Sequence, residues 1–175
     1  MKNIPFNKPF LIGDELEYIK QAIATGKISG DGVFTKKASD FFTGKFGFKK
    51  SLLTSSCTDA LEMAAILCEI SPGDEVILPS YTFVSTANAF VLRGARLVFA
   101  DSLSDLPNID PAEIERLITT KTKAIVVVHY GGIACMMDEI MAIASAHNIF
   151  VIEDAAHAHG ALYKGRKTGS LSDIG

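Results

Sequence analysis

The amino-acid sequence predicts an α/β fold, a three-layer sandwich in which helices cover both faces of a mostly parallel sheet. Three observations lead there. Short β-rich runs alternate with helical stretches along the chain. The strand run at 124–128 (AIVVV) is apolar without interruption, as strands buried on both faces are. The small-residue and polar segments that could carry chemistry follow the strands, where parallel sheets place their ligands.

Taken in order, residues 14–25 read as a helix stopped by Gly26. Residues 26–32 (GKISGDG) form a loop and 36–46 a second helix. A short strand is expected over 51–54. The helix predicted over 58–70 places Leu61, Ala64, Ala65 and Cys68 on one apolar face. Pro72-Gly73-Asp74 is a turn. A strand follows over 75–78, then a helix over 83–92 stopped by Gly94, then a strand over 96–100. Asp110-Pro111 opens a helix with Pro in its first position. Residues 124–129 form a buried strand, 138–147 a helix and 149–153 a strand. Residues 163–166 (YKGR) make a hairpin turn.

Composition bounds the function. The chain has 175 residues, 48% of them apolar, with a net charge of -3, enough for one domain with a real core. No basic stripe is present, which argues against nucleic acid as a partner. The apolar runs are too short to cross a bilayer, and the N-terminus MKNIPFNKPF lacks a signal-peptide core, so the expected location is the cytoplasm. The cysteines, Cys57, Cys68 and Cys135, are odd in number and match neither a disulfide framework nor a zinc site; Cys68 reads as core.

Each candidate site has a bland reading beside the functional one. The segment 54–59 (TSSCTD) leads from a strand into a helix, whose free N–H groups suit an anion, with hydroxyls of Ser55, Ser56 and Thr58 as further donors. Equally, Ser56 or Thr58 simply caps the helix. In 79–86 (PSYTFVST) an aromatic could stack on a flat ring, against the reading of a core aromatic. In 151–160 (VIEDAAHAHG) the Asp154 carboxylate could keep a pyridine nitrogen protonated and so make the ring an electron sink. It could instead cap a helix, or join His157 and His159 as a metal ligand. His129, in His129-Tyr130-Gly131-Gly132, could line a pocket or sit satisfied in the core.

Together the stretches GKISGDG, SSCTDALEMAA, PGDEVILPSYTFVSTANAFVLRGARLVFAD, VVVHYGG and VIEDAAHAHGA resemble the DegT/StrS family of sugar aminotransferases, in order and spacing, across nearly the whole chain. The resemblance implies the large domain of pyridoxal 5′-phosphate (PLP) fold-type I, in incomplete form. It implies PLP as cofactor, a homodimer, and amino transfer from L-glutamate to the 4-keto carbon of a dTDP-linked 6-deoxyhexose. The run SYTFVSTANAFVLRGA is similar to members that form dTDP-4-amino-4,6-dideoxygalactose for a bacterial surface polysaccharide.

By the same resemblance Ser56, Cys57 and Thr58 hold the phosphate, Phe83 stacks on the ring and Asp154 pairs with the pyridinium nitrogen. His157 stands where the family usually has Gln, near the phenolic oxygen, and no metal is expected. The family's Schiff-base lysine falls beyond Gly175, and Lys164 and Lys167 read as solvated hairpin residues. The implied division is a helix-and-loop segment over 1–35 and a large domain over 36–175, without the small C-terminal domain and inactive alone. A PLP-dependent sugar dehydratase of the same fold and a non-catalytic relative are the alternatives.

Overall fold

A computed structural model describes Pro5 and residues 8–175. The chain separates into two compact units, Met1–Leu53 and Thr54–Gly175. The expected boundary at 35/36 instead falls inside a helix, and the part of that expectation on residues 1–4 and 6–7 lies outside the described residues.

The first unit holds α1 (Glu15–Ala24) and α2 (Val33–Phe46). The Glu15 carboxylate accepts from the N–H groups of Ile12 and Gly13, which starts α1 and holds the carboxyl below its ordinary value, the Ile12 bond first. α2 begins earlier than its sequence suggested, because Gly32 in extended conformation serves as its N-cap. It ends at Gly47, whose φ of 75° is the left-handed conformation glycine adopts without penalty. The rings of Phe42, Phe46 and Phe48 pack together at centroid distances of 5.4–6.1 Å. Residues 51–54 form no strand: no ladder partner is available to them among the described residues.

The second unit opens with α3 (Cys57–Leu67). It continues through β1 (Glu75–Pro79), α4 (Val84–Val91), β2 (Arg96–Ala100), α5 (Pro111–Leu117) and β3 (Thr122–Val128). After a single 3-10 turn at Tyr130–Gly132 come α6 (Met137–His147), β4 (Phe150–Asp154) and the hairpin β5 (Leu162–Tyr163) and β6 (Arg166–Lys167). The four-stranded sheet has the order β2-β1-β3-β4, and every pairing is parallel. Local chemistry sets the joints. Asp110 caps α5 by accepting from the Ala112 N–H at 2.9 Å, with Pro111 in the first turn. Gly94 has φ +83°, and a Cβ there would stand 2.8 Å from Cγ of Pro72, so that turn admits only glycine. Lys164 and Gly165 both have positive φ, the pattern of a two-residue hairpin turn.

Alternation along the strands builds two cores. Val98, Ile77, Ile125 and Val151 stand in register across the sheet and pack on Ile114 of α5 and Met137, Ile140 and Ala144 of α6. Their neighbours Val76, Leu78, Ala124, Val126 and Ile152 point the other way, onto Leu61, Ala64 and Ala65 of α3 and Ala89 and Phe90 of α4. Each fully buried aliphatic of this kind contributes about 1.5–3 kcal/mol.

One polar group is set into the first of these faces. Glu153, 3% exposed, has a carboxylate that accepts from His129 Nε2 at 2.8 Å, the N–H of Gly169 at 2.8 Å, the N–H of Leu171 at 2.7 Å and the Ser172 hydroxyl at 2.9 Å. Nδ1 of His129 accepts from the Cys135 N–H at 3.2 Å. A backbone N–H can only donate, so Nδ1 carries the lone pair and Nε2 the proton that Glu153 receives. The segment after β6 is thereby drawn onto the free edge of β4, where the Glu153 N–H donates to the Ile174 carbonyl at 2.8 Å. Burial pushes the Glu153 carboxyl up, but the bonds from His129, Gly169, Leu171 and Ser172 outweigh it, and the net shift is downward.

Two outcomes follow for Glu153. Glu153→Ala leaves buried donors without an acceptor, at about 1–3 kcal/mol for each, and should lower stability in urea unfolding by at least that much. Because the folded carboxyl lies below its ordinary value of 4.5, the unfolded chain binds more protons in the acid range. Stability is therefore kept above that value and lost as pH falls below it. Glu153→Gln should flatten this acid-side decline; a decline as steep as in the unaltered protein would contradict the assignment.

Candidate active site

The connection β1–α4–β2 moves to one side of β1, and the connection from β2 through α5 returns to place β3 on the other side. Chain segments leaving β1 and β3 thus diverge, and a crevice opens at their carboxyl ends. A cavity of about 300 Å³ occupies this position. Tyr81, Thr82 and Phe83 line it after β1, Tyr130 after β3, and Asp154 and His157 at the end of β4.

Asp154 is the last residue of β4, one position past the expected strand end, and the pleat turns it away from its neighbour Glu153. It is 7% exposed. One carboxylate oxygen accepts from the Thr86 hydroxyl at 2.8 Å; the other accepts from the Ala156 N–H at 3.2 Å and the Cys57 thiol at 3.6 Å. Every protein contact is a donor, so the carboxylate is used wholly as an acceptor. The Cys57 thiol is pushed up to about 11 by burial first and by the Asp154 charge and hydrogen bond next, which keeps it a thiol and a donor.

Cys57 also begins α3. Ser56 is its N-cap and accepts from the Asp59 N–H at 3.2 Å, while the Ser55 hydroxyl donates to the Asp59 carboxylate. Side-chain hydrogen bonding from Ser55 first, and from Ser56 next, holds the half-buried Asp59 carboxyl below its ordinary value. The backbone N–H groups of Cys57 and Thr58 have no acceptor among the described residues. Cap and anion site are therefore not rivals here: the cap uses one N–H and leaves two. The Thr58 hydroxyl donates to the Ser85 hydroxyl at 2.8 Å, so Ser85, which the sequence reading did not single out, becomes the hydroxyl able to donate onward.

Phe83 is 72% exposed at the cavity, not in the core as an isolated aromatic would be. Tyr81 and Tyr130 share a hydroxyl contact of 3.2 Å with ring centroids 4.9 Å apart, and Tyr130 meets the His157 ring edge-on at 5.5 Å. The hydrogen bond with Tyr81 is the first cause that raises the Tyr130 phenol. His129 takes the core reading, wholly buried against Glu153. His159 does not line the cavity, and no group of three or more His, Cys, Asp or Glu side chains that could hold a metal ion is found among the described residues. Lys164 is exposed and pairs with Asp138 at 2.5 Å. Lys167 departs from its solvated reading: it is partly buried and its ammonium donates to the Gly160 carbonyl at 2.9 Å, because the hairpin folds back over that loop.

Residues 10–175 match the DegT/DnrJ/EryC1/StrS aminotransferase family. The chain is 42% identical over 165 residues to GDP-perosamine synthase of Caulobacter vibrioides, a match covering 94% of this chain and 44% of that protein. Among solved structures, the aminotransferase from Psychrobacter cryohalolentis is 36% identical with a TM-score of 0.90, over 96% of this chain and 43% of the other. The PLP form of Spr1654 from Streptococcus pneumoniae is 31% identical with a TM-score of 0.88, over 98% of this chain and 47% of the other. The chain spans less than half the length of the curated relatives it matches. Fold and sequence match agree: the chain belongs to the DegT/DnrJ/EryC1/StrS aminotransferase family.

Proposed function

We propose that the full-length protein is a PLP-dependent aminotransferase that moves the amino group of L-glutamate onto the 4-keto carbon of a nucleotide-linked 6-deoxyhexose. The observation that carries this reading is Asp154, an acceptor-only carboxylate backed by three donors at the floor of a cavity at the sheet's switch point. The residues present suit the cofactor. A group with a basic ring nitrogen, a flat ring and a phosphate needs an acceptor, an aromatic face and anion donors in one place. Here these are Asp154, Phe83 and the unengaged N–H groups at the start of α3.

In this reading Asp154 holds the proton on the ring nitrogen. The N–H groups of Cys57 and Thr58, with the Ser56 and Ser85 hydroxyls, hold the phosphate. Phe83 covers the ring face, and His157 donates toward the phenolic oxygen. When bound, PLP supplies an electron sink for the carbanion formed at the amino-acid Cα. Neither Lys164 nor Lys167 lines the cavity, which fits their mismatch with the family's lysine motif. The exposed apolar residues Leu16, Ile19 and Ile23 of α1 support a homodimer, kept here as part of the proposal. No helix among the described residues is long and apolar enough to cross a membrane.

The nucleotide is where the reading moves. The sequence alone suggested a dTDP sugar, but a relative at 42% identity is named for GDP-perosamine, which puts a GDP-linked sugar ahead of a dTDP-linked one.

With the full-length protein, PLP should bind and shift its visible absorbance on addition of L-glutamate. Incubation with GDP- and dTDP-linked 4-keto-6-deoxyhexoses should give an amino sugar by mass spectrometry, more from GDP. Absence of PLP binding, or of amine transfer to either sugar, would sink the proposal. Asp154→Asn should lower kcat at least about 100-fold while the protein stays folded; near-normal turnover would remove Asp154 from the role given to it.

A further inference from the structure

Thr86 stands at the third position of α4 and is wholly buried. A threonine in a helix usually returns its hydroxyl to the carbonyl four residues back. Thr86 does not. Its Oγ1 donates to Asp154, 68 positions along the chain, at 2.8 Å, and lies 2.9 Å from Oγ1 of Thr82. Each hydroxyl has one proton. The proton of Thr86 goes to the carboxylate, which can only accept, so Thr86 must receive that of Thr82. The chain Thr82 to Thr86 to Asp154 therefore has one direction, set by the acceptor at its end.

The two oxygens of Asp154 are held differently. One takes the Ala156 N–H, two residues away, and the Cys57 thiol at 3.6 Å, a weak donor. The other takes Thr86 alone. Rotation of the carboxylate about its Cβ–Cγ bond is opposed on that side only by the Thr86 hydroxyl, itself held by burial and by the Thr82 hydroxyl at 2.9 Å. We infer that Thr86 is the positioning residue for Asp154: it sets which way the carboxylate presents itself to the cavity. This rests on the reading of Asp154 as the partner of a ring nitrogen, and deepens it. Thr86 touches no cofactor in this reading and acts through Asp154.

The test is PLP affinity of the full-length protein, measured by fluorescence titration of Thr86→Val, Thr86→Ser and Thr86→Cys, each also in an Asp154→Asn background. Thr86→Val keeps the shape and removes the donor, and is expected to weaken PLP about tenfold. Thr86→Ser restores the donor and should stay within about threefold of the unaltered protein. Thr86→Cys, a weaker donor, should fall between, and carries the test if the valine variant does not fold. In the Asp154→Asn background Thr86→Val should add little, because the residue acts only through the carboxylate.

The inference is overturned if Thr86→Val binds PLP as the unaltered protein does, or if Thr86→Ser is as weak as Thr86→Val. It is also overturned if the loss recurs in full beside Asp154→Asn. A mainly structural role would lower the unfolding temperature and leave affinity unmoved. Failure of the unaltered protein to bind PLP would bring down the functional reading and this inference with it, and is separable from a failure confined to the Thr86 variants.

Discussion

A buried carboxylate must have its acceptor capacity filled or the fold loses several kcal/mol, and Glu153 is where this chain meets that demand. Its four donors come from different places: a histidine after β3, two backbone N–H groups beyond the hairpin and a hydroxyl close by. Their convergence fixes the end of β3, the end of β4 and the returning segment against one another. Strand geometry then decides the next residue. With Glu153 committed to the α5/α6 face, Asp154 must face the opposite way, toward α3 and α4 and the cavity. A slip of one residue in β4 would bring the wrong carboxylate to the cavity and bury the other without partners.

The site is built by joining elements that the sequence keeps far apart. Cys57 and Thr86 reach Asp154 across separations of 97 and 68 residues. Both sit at the beginnings of helices, α3 and α4, that lie side by side on one face of the sheet. A parallel sheet brings helix beginnings to the carboxyl ends of its strands, so donors and dipole ends accumulate where β1 and β3 diverge. The start of α3, with its unengaged N–H groups, thus stands beside the acceptor Asp154, which its Cys57 thiol touches at 3.6 Å.

Much of this was legible in the sequence, and the gaps have physical causes. Uninterrupted apolar strands and the stop signals at Gly26, Gly94 and Pro72-Gly73 gave the alternation of elements, because those signals are local. The strand ends were less sharp: Asp154 belongs to β4 by its ladder with Val128, and a ladder is not local. Residues 51–54 have strand-like side chains but no partner, and a strand exists only by pairing. The strand-end motifs placed Asp154, Phe83 and His157 together without revealing what orients them. Nothing local separates Glu153 from the adjacent Asp154; only its partners assign it to the core. Thr86 lay inside a motif already marked for its aromatic, yet nothing local distinguishes a helical threonine bonded to its own turn from one bonded to a distant strand.

The same geometry bears on specificity. The cavity has a nearly buried carboxylate, Asp154, on one part of its lining and an aromatic group, Tyr81, Phe83 and Tyr130, on another. The Tyr81–Tyr130 pair belongs to the aromatic part, with exposed Tyr81 and a shared hydroxyl contact of 3.2 Å. Two phenols that satisfy one another can open toward a ligand hydroxyl without leaving a buried group unpaired, since Tyr81 is exposed. That freedom is denied to Asp154 and Glu153, whose partners are all internal. Rigidity is thus concentrated on the carboxylates, and adaptability on the aromatic rim above them.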